Sequence, residues 1–156
     1  MSTLYILCGC PGCGKSSWAK NFMKDKCIHY VSRDVTRLSM LSENEDYFSH
    51  EDEVFKNFTE IIACSLQNDV DVIADATHIN KKSRAKLIHA IDAYITDYNI
   101  IFVYFTTNYA TCIERNNNRE GRERVPDDAI ESMHNRFEKP TIKEDVRCIG
   151  VMLMKG

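Results

Sequence analysis

The sequence Gly-Cys-Pro-Gly-Cys-Gly-Lys-Ser at positions 9–16 decides the fold of this chain. It has the spacing G-x-x-x-x-G-K-[ST], in which a glycine-rich turn wraps backbone N–H groups around a phosphate at the start of a helix. The apolar run Leu-Tyr-Ile-Leu-Cys at 4–8 precedes it, and a helical pattern at 17–23 follows it. Strand, glycine turn and helix form the context that this motif requires. The stretch therefore predicts a phosphate-binding loop.

The residues of this loop have separate predicted roles in binding ATP and Mg²⁺. Glycine at three positions lets the backbone turn and approach the phosphates closely: Gly9, Gly12 and Gly14. We expect Lys15 to reach the β- and γ-phosphates and the Ser16 hydroxyl to bind Mg²⁺. The remaining predicted ATP-binding positions are Cys10, Pro11, Cys13 and Ser17.

Length and composition are those of a single globular domain. The 156 residues are 44% hydrophobic and 28% charged, and we expect one domain over 1–156. No apolar run approaches the roughly 18–20 residues of a membrane span, and the run at 4–8 is too short for a secretory signal. We therefore expect a cytoplasmic protein without membrane contact, and no obligate protein partner is evident from the sequence. The net charge of −3 restricts any nucleic-acid contact to a local basic patch.

The chain has seven cysteines, three of which form the cluster C-x-C-x-x-C at 8–13. No second cluster supplies the other ligands of a structural zinc site, so we interpret these three as strand and loop residues. The other four occur singly in apolar stretches and are predicted to be small core residues: Cys27, Cys64, Cys112 and Cys148. Free thiols fit a reducing compartment.

Apolar runs alternate with helical patterns along the whole chain. Strands are predicted at 3–8, 27–32, 70–74, 100–106 and 146–154, and helices at 16–24, 52–67, 81–94, 109–116 and 127–138. Strands separated by helices form βαβ units. The sequence therefore predicts an α/β protein with a P-loop NTPase/kinase fold, that is, a five-stranded, mainly parallel sheet flanked by helices. In such sheets ligands bind at the carboxyl ends of the strands.

The segment Ser-Arg-Asp-Val-Thr-Arg at 32–37 follows the second predicted strand. Asp34 is a candidate to accept the proton of an attacking hydroxyl. Arg37 is a candidate to grip an anionic part of the acceptor. The alternative is that these residues cap a helix or pair with each other.

Asp75 follows the third predicted strand, where the second anchor of a Mg²⁺ shell is expected. A helix cap or a turn is the alternative for this residue. Thr77 and His78 come next and are candidates for lining the acceptor pocket. A hydrogen-bonded loop residue is the equal alternative for His78.

An arginine-rich polar stretch follows the fourth predicted strand. Its arginines are Arg115, Arg119, Arg122 and Arg124. We interpret the segment at about 115–126 as a mobile lid that closes over ATP, with a solvated charged loop as the alternative. Arg115 and Arg119, at i and i+4, are expected on one helical face, where they reach the nucleotide phosphates. Arg119 is predicted to stabilise charge on the transferring phosphoryl group.

These motifs occur in a fixed order over nearly the whole chain, from 4 to about 146. They are the loop at 9–16, Ser-Arg-Asp-x-x-Arg at 32–37, Asp-Ala-Thr at 75–77, Ser-Arg at 83–84, Arg-Asn at 115–116 with Arg119, Val-Pro at 125–126 and Arg-Phe-Glu-Lys-Pro-Thr at 136–141. The ordered set resembles the phosphate-loop polynucleotide 5′-hydroxyl kinases, the kinase modules of end-healing enzymes.

The resemblance implies ATP-dependent transfer of the γ-phosphate to the 5′-hydroxyl of RNA or DNA. It implies that Asp34 is the general base and that Arg37 contacts the acceptor or its phosphate. It also implies that Lys15, Ser16 and Arg119 serve the ATP phosphates and Mg²⁺. The chain departs from the family pattern in Asp-Ala-Thr-His at 75–78. It also departs in the spacing Arg-Glu-Gly at 119–121, and for that reason Arg122 is an alternative lid arginine.

Two other functions use the same framework. One is a kinase of a small metabolite or of an aminoacyl-tRNA. The other is a nucleotide-gated module that hydrolyses ATP. Guanine-specific switches carry Asn-Lys-x-Asp late in the fold. The segment Asn-Lys-Lys-Ser at 80–83 lacks the final Asp and comes early, so the sequence does not favour a GTPase.

Overall fold

Five strands form one sheet in the computed structural model, which describes residues 1–121 and 124–155. They are β1 (Thr3–Cys8), β2 (Ile28–Ser32), β3 (Asp71–Asp75), β4 (Asn99–Phe105) and β5 (Cys148–Met154). Their order is β2-β3-β1-β4-β5, and every neighbouring pair is parallel. The predicted α/β class and five-stranded sheet are confirmed, and the pairings described are wholly parallel.

Six α-helices connect or follow the strands. They are α1 (Lys15–Phe22), α2 (Arg33–Met40), α3 (Glu51–Gln67), α4 (Lys81–Asp92), α5 (Tyr109–Asn117) and α6 (Asp127–Arg136), and a 3₁₀ turn lies at Ile142–Glu144. Five of them correspond to predicted helices. The sequence missed α2 because this helix has only eight residues, most of them polar. This helix begins at a local cap, in which the Ser32 side chain accepts a hydrogen bond from the backbone N–H of Val35 (3.3 Å).

Buried side chains cover both faces of the sheet, which explains why the strands read as continuous apolar runs. On one face Leu4 and Ile6 of β1 belong to a cluster that includes Phe58 of α3 and Leu87 of α4. On the other face Leu7 belongs to a cluster with residues of three helices: Ala19, Cys112 and Ile130. The two layers fix the sheet between α3 and α4 on one side and α1, α5 and α6 on the other.

All seven cysteines are free thiols. The predicted burial is confirmed for Cys112 and Cys148 and is wrong for Cys27 and Cys64, which are exposed. Cys27 lies just before β2, and Cys64 lies on the outer face of α3 beside the buried Ala63. Within the described ranges, the helices are too short or too polar to cross a membrane.

The strand order places the ends of β1, β2 and β3 together. In the pairing of β2 with β3, Ser32 is the partner of Asp75. The backbone N–H of Gly9, just after β1, donates to the carbonyl oxygen of Thr77, just after β3 (2.8 Å). The segments at 9–16, 32–37 and 75–78 therefore meet at one edge of the sheet.

Candidate active site

The loop at 9–16 has the left-handed backbone that its glycines predict. The φ angles of Gly12 and Gly14 are 81° and 100°. A Cβ on Gly12 would lie 2.7 Å from the carbonyl oxygen of Cys112, so the loop packs directly on α5. The Thr107 hydroxyl also donates to the Cys13 carbonyl oxygen (2.7 Å). These contacts fix the loop at the start of α1, and the first backbone N–H groups of a helix are a general binding site for anions.

Lys15 folds back over this loop. Its Nζ donates to the carbonyl oxygens of Gly9 (2.9 Å) and Cys10 (3.0 Å) and lies 3.6 Å from the Cys13 Sγ. These partners are uncharged groups, and within the described residues the ammonium forms no ion pair with a carboxylate. The loop therefore carries an uncompensated positive charge, which suits a phosphate.

Ser16 and Asp75 form a pair of oxygen ligands beside the loop. The Ser16 Oγ donates to the Asp75 Oδ2 (3.1 Å), and Asp75 is buried. A serine hydroxyl and a carboxylate are hard oxygen donors of the kind that Mg²⁺ takes. The donor set therefore fits the metal that the sequence predicted for these two residues.

Tyr30 adds a contact that the sequence did not predict. Its hydroxyl donates to the same Asp75 Oδ2 and lies 3.4 Å from the Ser16 Oγ. Burial, and then the charge of Asp75, raises the pKa of Tyr30 to about 12, so the phenol stays a donor. Tyr30 lies within β2, and a single aromatic residue in a strand carries no local signal of a contact with Asp75.

Asp34 lies in the first turn of α2 with its side chain 67% exposed. Its Oδ1 accepts hydrogen bonds from Arg37 Nη1 (2.6 Å) and from the Tyr47 hydroxyl (2.9 Å). Both bonds go to one oxygen. The carboxylate is thereby oriented, and Oδ2 receives no hydrogen bond from the described residues.

Arg37 is 5% exposed and makes its paired contact with Glu51. Arg37 Nε and Nη2 donate to the two carboxylate oxygens of Glu51 at 2.8 and 2.7 Å. Burial opposes the charge of Arg37, but the hydrogen bonds with Glu51 and Tyr47 outweigh it and raise the pKa of Arg37. The hydrogen bond from Arg37 also lowers the pKa of Glu51. Asp34 and Arg37 thus pair with each other, as the alternative reading allowed, and an acceptor contact of Arg37 stays a prediction.

His78 is a buried, neutral residue at the inner end of the site. Its Nδ1 lies 2.8 Å from the Leu7 carbonyl oxygen, so this nitrogen carries the proton. Burial lowers the pKa of His78 to about 4. The hydrogen-bonded role is therefore what the structure shows, although His78 and Thr77 also line the cleft described below.

The arginine-rich segment begins inside α5. Because α5 ends at Asn117, Arg119 lies beyond the helix, and the expected common helical face of Arg115 and Arg119 is wrong. Arg115 Nη1 donates to the Gly12 carbonyl oxygen (3.1 Å). Arg122 lies outside the described residues. The predicted closure of this segment stays a prediction.

Asn116 holds the two ends of this segment together. The side chain is fully buried. Its Nδ2 donates to the Val125 carbonyl oxygen (2.5 Å), and its Oδ1 accepts from the Val125 N–H (2.9 Å). Both polar atoms of the amide are thus used on one backbone unit, which fixes the base of the segment.

These groups line one cleft of about 680 Å³, a size typical of small-ligand sites. Six basic side chains line it: Lys15, Arg33, Arg37, Lys86, Arg115 and Arg119. Three acidic ones do so: Asp34, Glu51 and Asp75. Among the described residues, the side chains that line the cleft therefore carry a net positive charge, although the whole chain has a net charge of −3. Several lining residues were not predicted: Arg33, Tyr47, Phe48, Glu51, Phe55 and Lys86. The adjacent aromatics at 47–48, in an otherwise polar stretch, were the available signal.

A family model described as an AAA domain matches residues 4–140. The chain belongs to this family. This AAA-domain chain is 25% identical to L-seryl-tRNA(Sec) kinase of Methanococcus maripaludis over 142 aligned residues. The aligned residues make up 90% of this chain and 54% of the relative. It therefore spans about half the length of that curated relative.

Solved structures agree with the family assignment. The AAA-domain chain is 27% identical to a chain in the Pnkp1/Rnl/Hen1 RNA repair complex, with a TM-score of 0.73 over 86% of this chain and 43% of that one. A sugar kinase from Janibacter sp. HTCC2649 has a TM-score of 0.70 at 14% identity, over 99% and 86% of the two chains, and shows the fold alone. The AAA-domain chain thus has a kinase-type P-loop fold.

Proposed function

We propose that the protein is an ATP-dependent kinase that transfers the γ-phosphate to a hydroxyl group, with the 5′-hydroxyl of a polynucleotide as the acceptor supported best. One observation carries the proposal. The phosphate-binding loop, the Ser16–Asp75 pair and the exposed carboxylate of Asp34 all line the same cleft. A nucleotide-gated module needs the first two of these, whereas a hydroxyl acceptor also requires a positioned carboxylate in the same cleft.

The donor half consists of this loop and its neighbours. Backbone N–H groups at the start of α1 and the ammonium of Lys15 bind the phosphates of ATP. Ser16 and Asp75 would hold Mg²⁺, which supplies positive charge to the phosphate oxygens when bound. Arg115 and Arg119 line the same cleft and add positive charge near the transferring group.

The acceptor half centres on Asp34. Its Oδ1 is held by Arg37 and Tyr47, whereas its Oδ2 is open to the acceptor within the described part of the chain. The open oxygen takes the proton of the attacking hydroxyl as the new O–P bond forms, while the bond between the γ-phosphorus and the oxygen bridging it to the β-phosphate breaks and ADP leaves. Glu51 neutralises Arg37, so this arginine positions Asp34 without drawing the carboxylate wholly into an ion pair.

The choice of acceptor rests on charge and on likeness. The positive lining of the cleft supplies the local basic patch that a nucleic acid needs. The chain of the RNA repair complex is similar over 86% of this chain. A second candidate acceptor, the hydroxyl of an aminoacyl-tRNA, is favoured by the match to L-seryl-tRNA(Sec) kinase over 90% of the chain.

The test offers ATP labelled at the γ-phosphate to 5′-hydroxyl oligonucleotides, seryl-tRNA, nucleosides and sugars. We expect label on the 5′ end of an oligonucleotide. Label on seryl-tRNA alone would establish the second candidate, and label on a nucleoside or sugar alone would overturn both. Release of phosphate with no acceptor labelled would indicate a nucleotide-gated module.

Two variants test the assigned roles. Asp34→Asn should reduce transfer on the order of 10²- to 10⁴-fold with little change in ATP affinity. Asp52→Asn, at an exposed residue in the first turn of α3, is the matched control. Lys15→Ala should reduce turnover with every acceptor. Equal losses of transfer and ATP affinity in Asp34→Asn would contradict the general-base role.

A further inference from the structure

The side chain of Phe48 lies on the wall of the cleft with 61% of its surface exposed. The ring is held edge-on by Tyr47, with ring centroids 4.9 Å apart and an interplanar angle of 88°. The guanidinium of Arg37 lies 5.2 Å from the Phe48 centroid and 4.7 Å from that of Tyr47. The cleft thus presents an oriented aromatic ring to solvent, close to Asp34, to which both Arg37 and Tyr47 donate hydrogen bonds.

Two cations lie beside a second aromatic ring of the same cleft. Arg33 and Lys86 stand over Phe55, at 5.4 and 4.7 Å from the ring centroid. The Arg33 Nε is buried with no hydrogen-bond partner among the described residues, and its guanidinium approaches Glu51 only to 3.7 Å. Lys86 forms no ion pair within the described ranges. Because Glu51 makes its close contacts with Arg37, Arg33 keeps only a long ion pair with Glu51, and Lys86 has no close carboxylate partner among the described residues.

An exposed aromatic ring that shares a cleft with two weakly paired cations has a specific complement. A neutral polyol would leave the charges of Arg33 and Lys86 unmatched. A nucleotide offers both a flat base, which stacks on an aromatic ring, and a phosphate, which pairs with cations. The lining therefore favours an acceptor that carries a base and a phosphate close to its reactive hydroxyl.

We propose that Phe48 is a stacking platform for the base of the nucleotide whose hydroxyl is phosphorylated, and that Arg33 and Lys86 bind the phosphate next to that nucleotide. The proposal rests on the proposed kinase function and adds the feature by which the acceptor is recognised. Phe48 contributes binding, whereas Asp34 contributes chemistry.

The decisive experiment compares two acceptors and two proteins. The acceptors are a 5′-hydroxyl oligonucleotide and the same oligonucleotide with an abasic 5′-terminal residue, and the proteins are the wild type and Phe48→Ala. Stacking of one base predicts that the wild type prefers the base-bearing acceptor on the order of tenfold to a hundredfold in kcat/KM. Phe48→Ala should bring this ratio close to one, mainly through KM. Phe48→Trp should keep the ratio, and Phe48→Leu should lose most of it.

The cationic half has its own readout. Lys86→Gln should reduce the salt dependence of acceptor binding by about one phosphate contact and raise KM for both acceptors alike. Lys81→Gln, at an exposed lysine at the start of the same helix, is the matched control. A salt slope that is equal in the two variants would remove Lys86 from the proposed site.

The outcomes separate this inference from the proposed function. Two outcomes would contradict the stacking role of Phe48 and leave the proposed kinase function intact. In both, the wild type labels oligonucleotides; either it shows no preference for the base-bearing acceptor, or Phe48→Ala shows the same preference as the wild type. If no oligonucleotide is labelled although ATP binds, the polynucleotide function is wrong and the platform is wrong with it. Thermal unfolding of each variant separates a loss of recognition from a loss of fold.

Discussion

Arg84 and Glu144 form a buried ion pair across 60 positions of sequence. Arg84 Nε and Nη2 donate to the two carboxylate oxygens at 2.9 and 3.1 Å, and the side chains are 1% and 6% exposed. Arg84 Nη1 also donates to the His78 carbonyl oxygen (2.8 Å). The pair therefore joins α4, the 3₁₀ turn and the segment after β3 that lines the cleft.

Removing one partner of this pair should destabilise the protein strongly. Glu144→Ala leaves the Arg84 charge buried without a partner, and we expect a loss of about 3–5 kcal/mol in the free energy of unfolding. Urea unfolding measures it. The double variant Arg84→Met/Glu144→Leu removes both charges and should recover most of the loss. A loss below about 1 kcal/mol in Glu144→Ala would show that water reaches the guanidinium.

Stability should fall on acidification because of His78. Burial lowers its pKa from 6.5 to about 4, so between these pH values the unfolded chain binds a proton that the folded protein does not. The contribution of His78 to stability is therefore complete above pH 6.5 and is lost as the pH falls toward 4. The full effect is on the order of 3 kcal/mol.

Urea unfolding at pH 7 and at pH 5 tests this dependence. His78→Gln should show a smaller difference between the two pH values than the wild type does. His89→Gln, at an exposed histidine of α4, is the control and should retain the wild-type difference. If the free energy of unfolding changes equally between pH 7 and pH 5 in the wild type and in His78→Gln, groups other than His78 cause the acid sensitivity.

Tyr30→Phe should weaken the response to Mg²⁺. The hydroxyl of Tyr30 and that of Ser16 both donate to the Asp75 Oδ2, and together they orient the carboxylate toward Ser16. Loss of one bond should cost about 1 kcal/mol of stability. It should also raise the Mg²⁺ concentration for half-maximal activity several-fold. Tyr94→Phe removes a hydroxyl that is bonded to Glu60 on the surface, and it should leave that concentration as in the wild type.

Gly12→Ala should damage both the fold of the loop and ATP binding. The φ angle of 81° costs an L-residue about 1–2 kcal/mol, and the new Cβ would lie 2.7 Å from a backbone oxygen. ATP affinity by calorimetry and the free energy of unfolding should both fall. Gly150→Ala, in open space on β5, should change neither. Normal ATP affinity in Gly12→Ala would mean that the loop shifts away from α5 without loss.

The sequence predicted the parts of the fold that depend on local spacing. The loop at 9–16 and the β-branched run before Asp75 are short-range patterns, so the strand, the turn and the metal-side carboxylate follow from them. The Asp34–Arg37 pair is also local, since the two residues are one helical turn apart. Its role as a pair required the structure, because the Arg37 partner Glu51 lies 14 positions further on.

The residues that sequence reasoning missed are joined by folding and not by spacing. Tyr30 reaches Asp75 because β2 and β3 are neighbours, which no local pattern specifies. The helix at Arg33–Met40 was missed because its residues are mostly polar and its cap is a single serine. Exposure of Cys27 and Cys64 was missed for the related reason that small apolar residues fit either side of an element.

The Asn116 amide closes the arginine-rich segment upon itself, since both of its bonds go to Val125. The two ends of that segment are therefore fixed to each other and not only to the rest of the protein. A change in the number of residues between Asn116 and Val125 therefore alters only the loop that these two residues close. Each doubling of the length of a flexible loop costs only about 0.6 kcal/mol. The residues between Asn116 and Val125 can therefore be replaced as a unit, as long as the Asn116 amide keeps its two bonds to Val125.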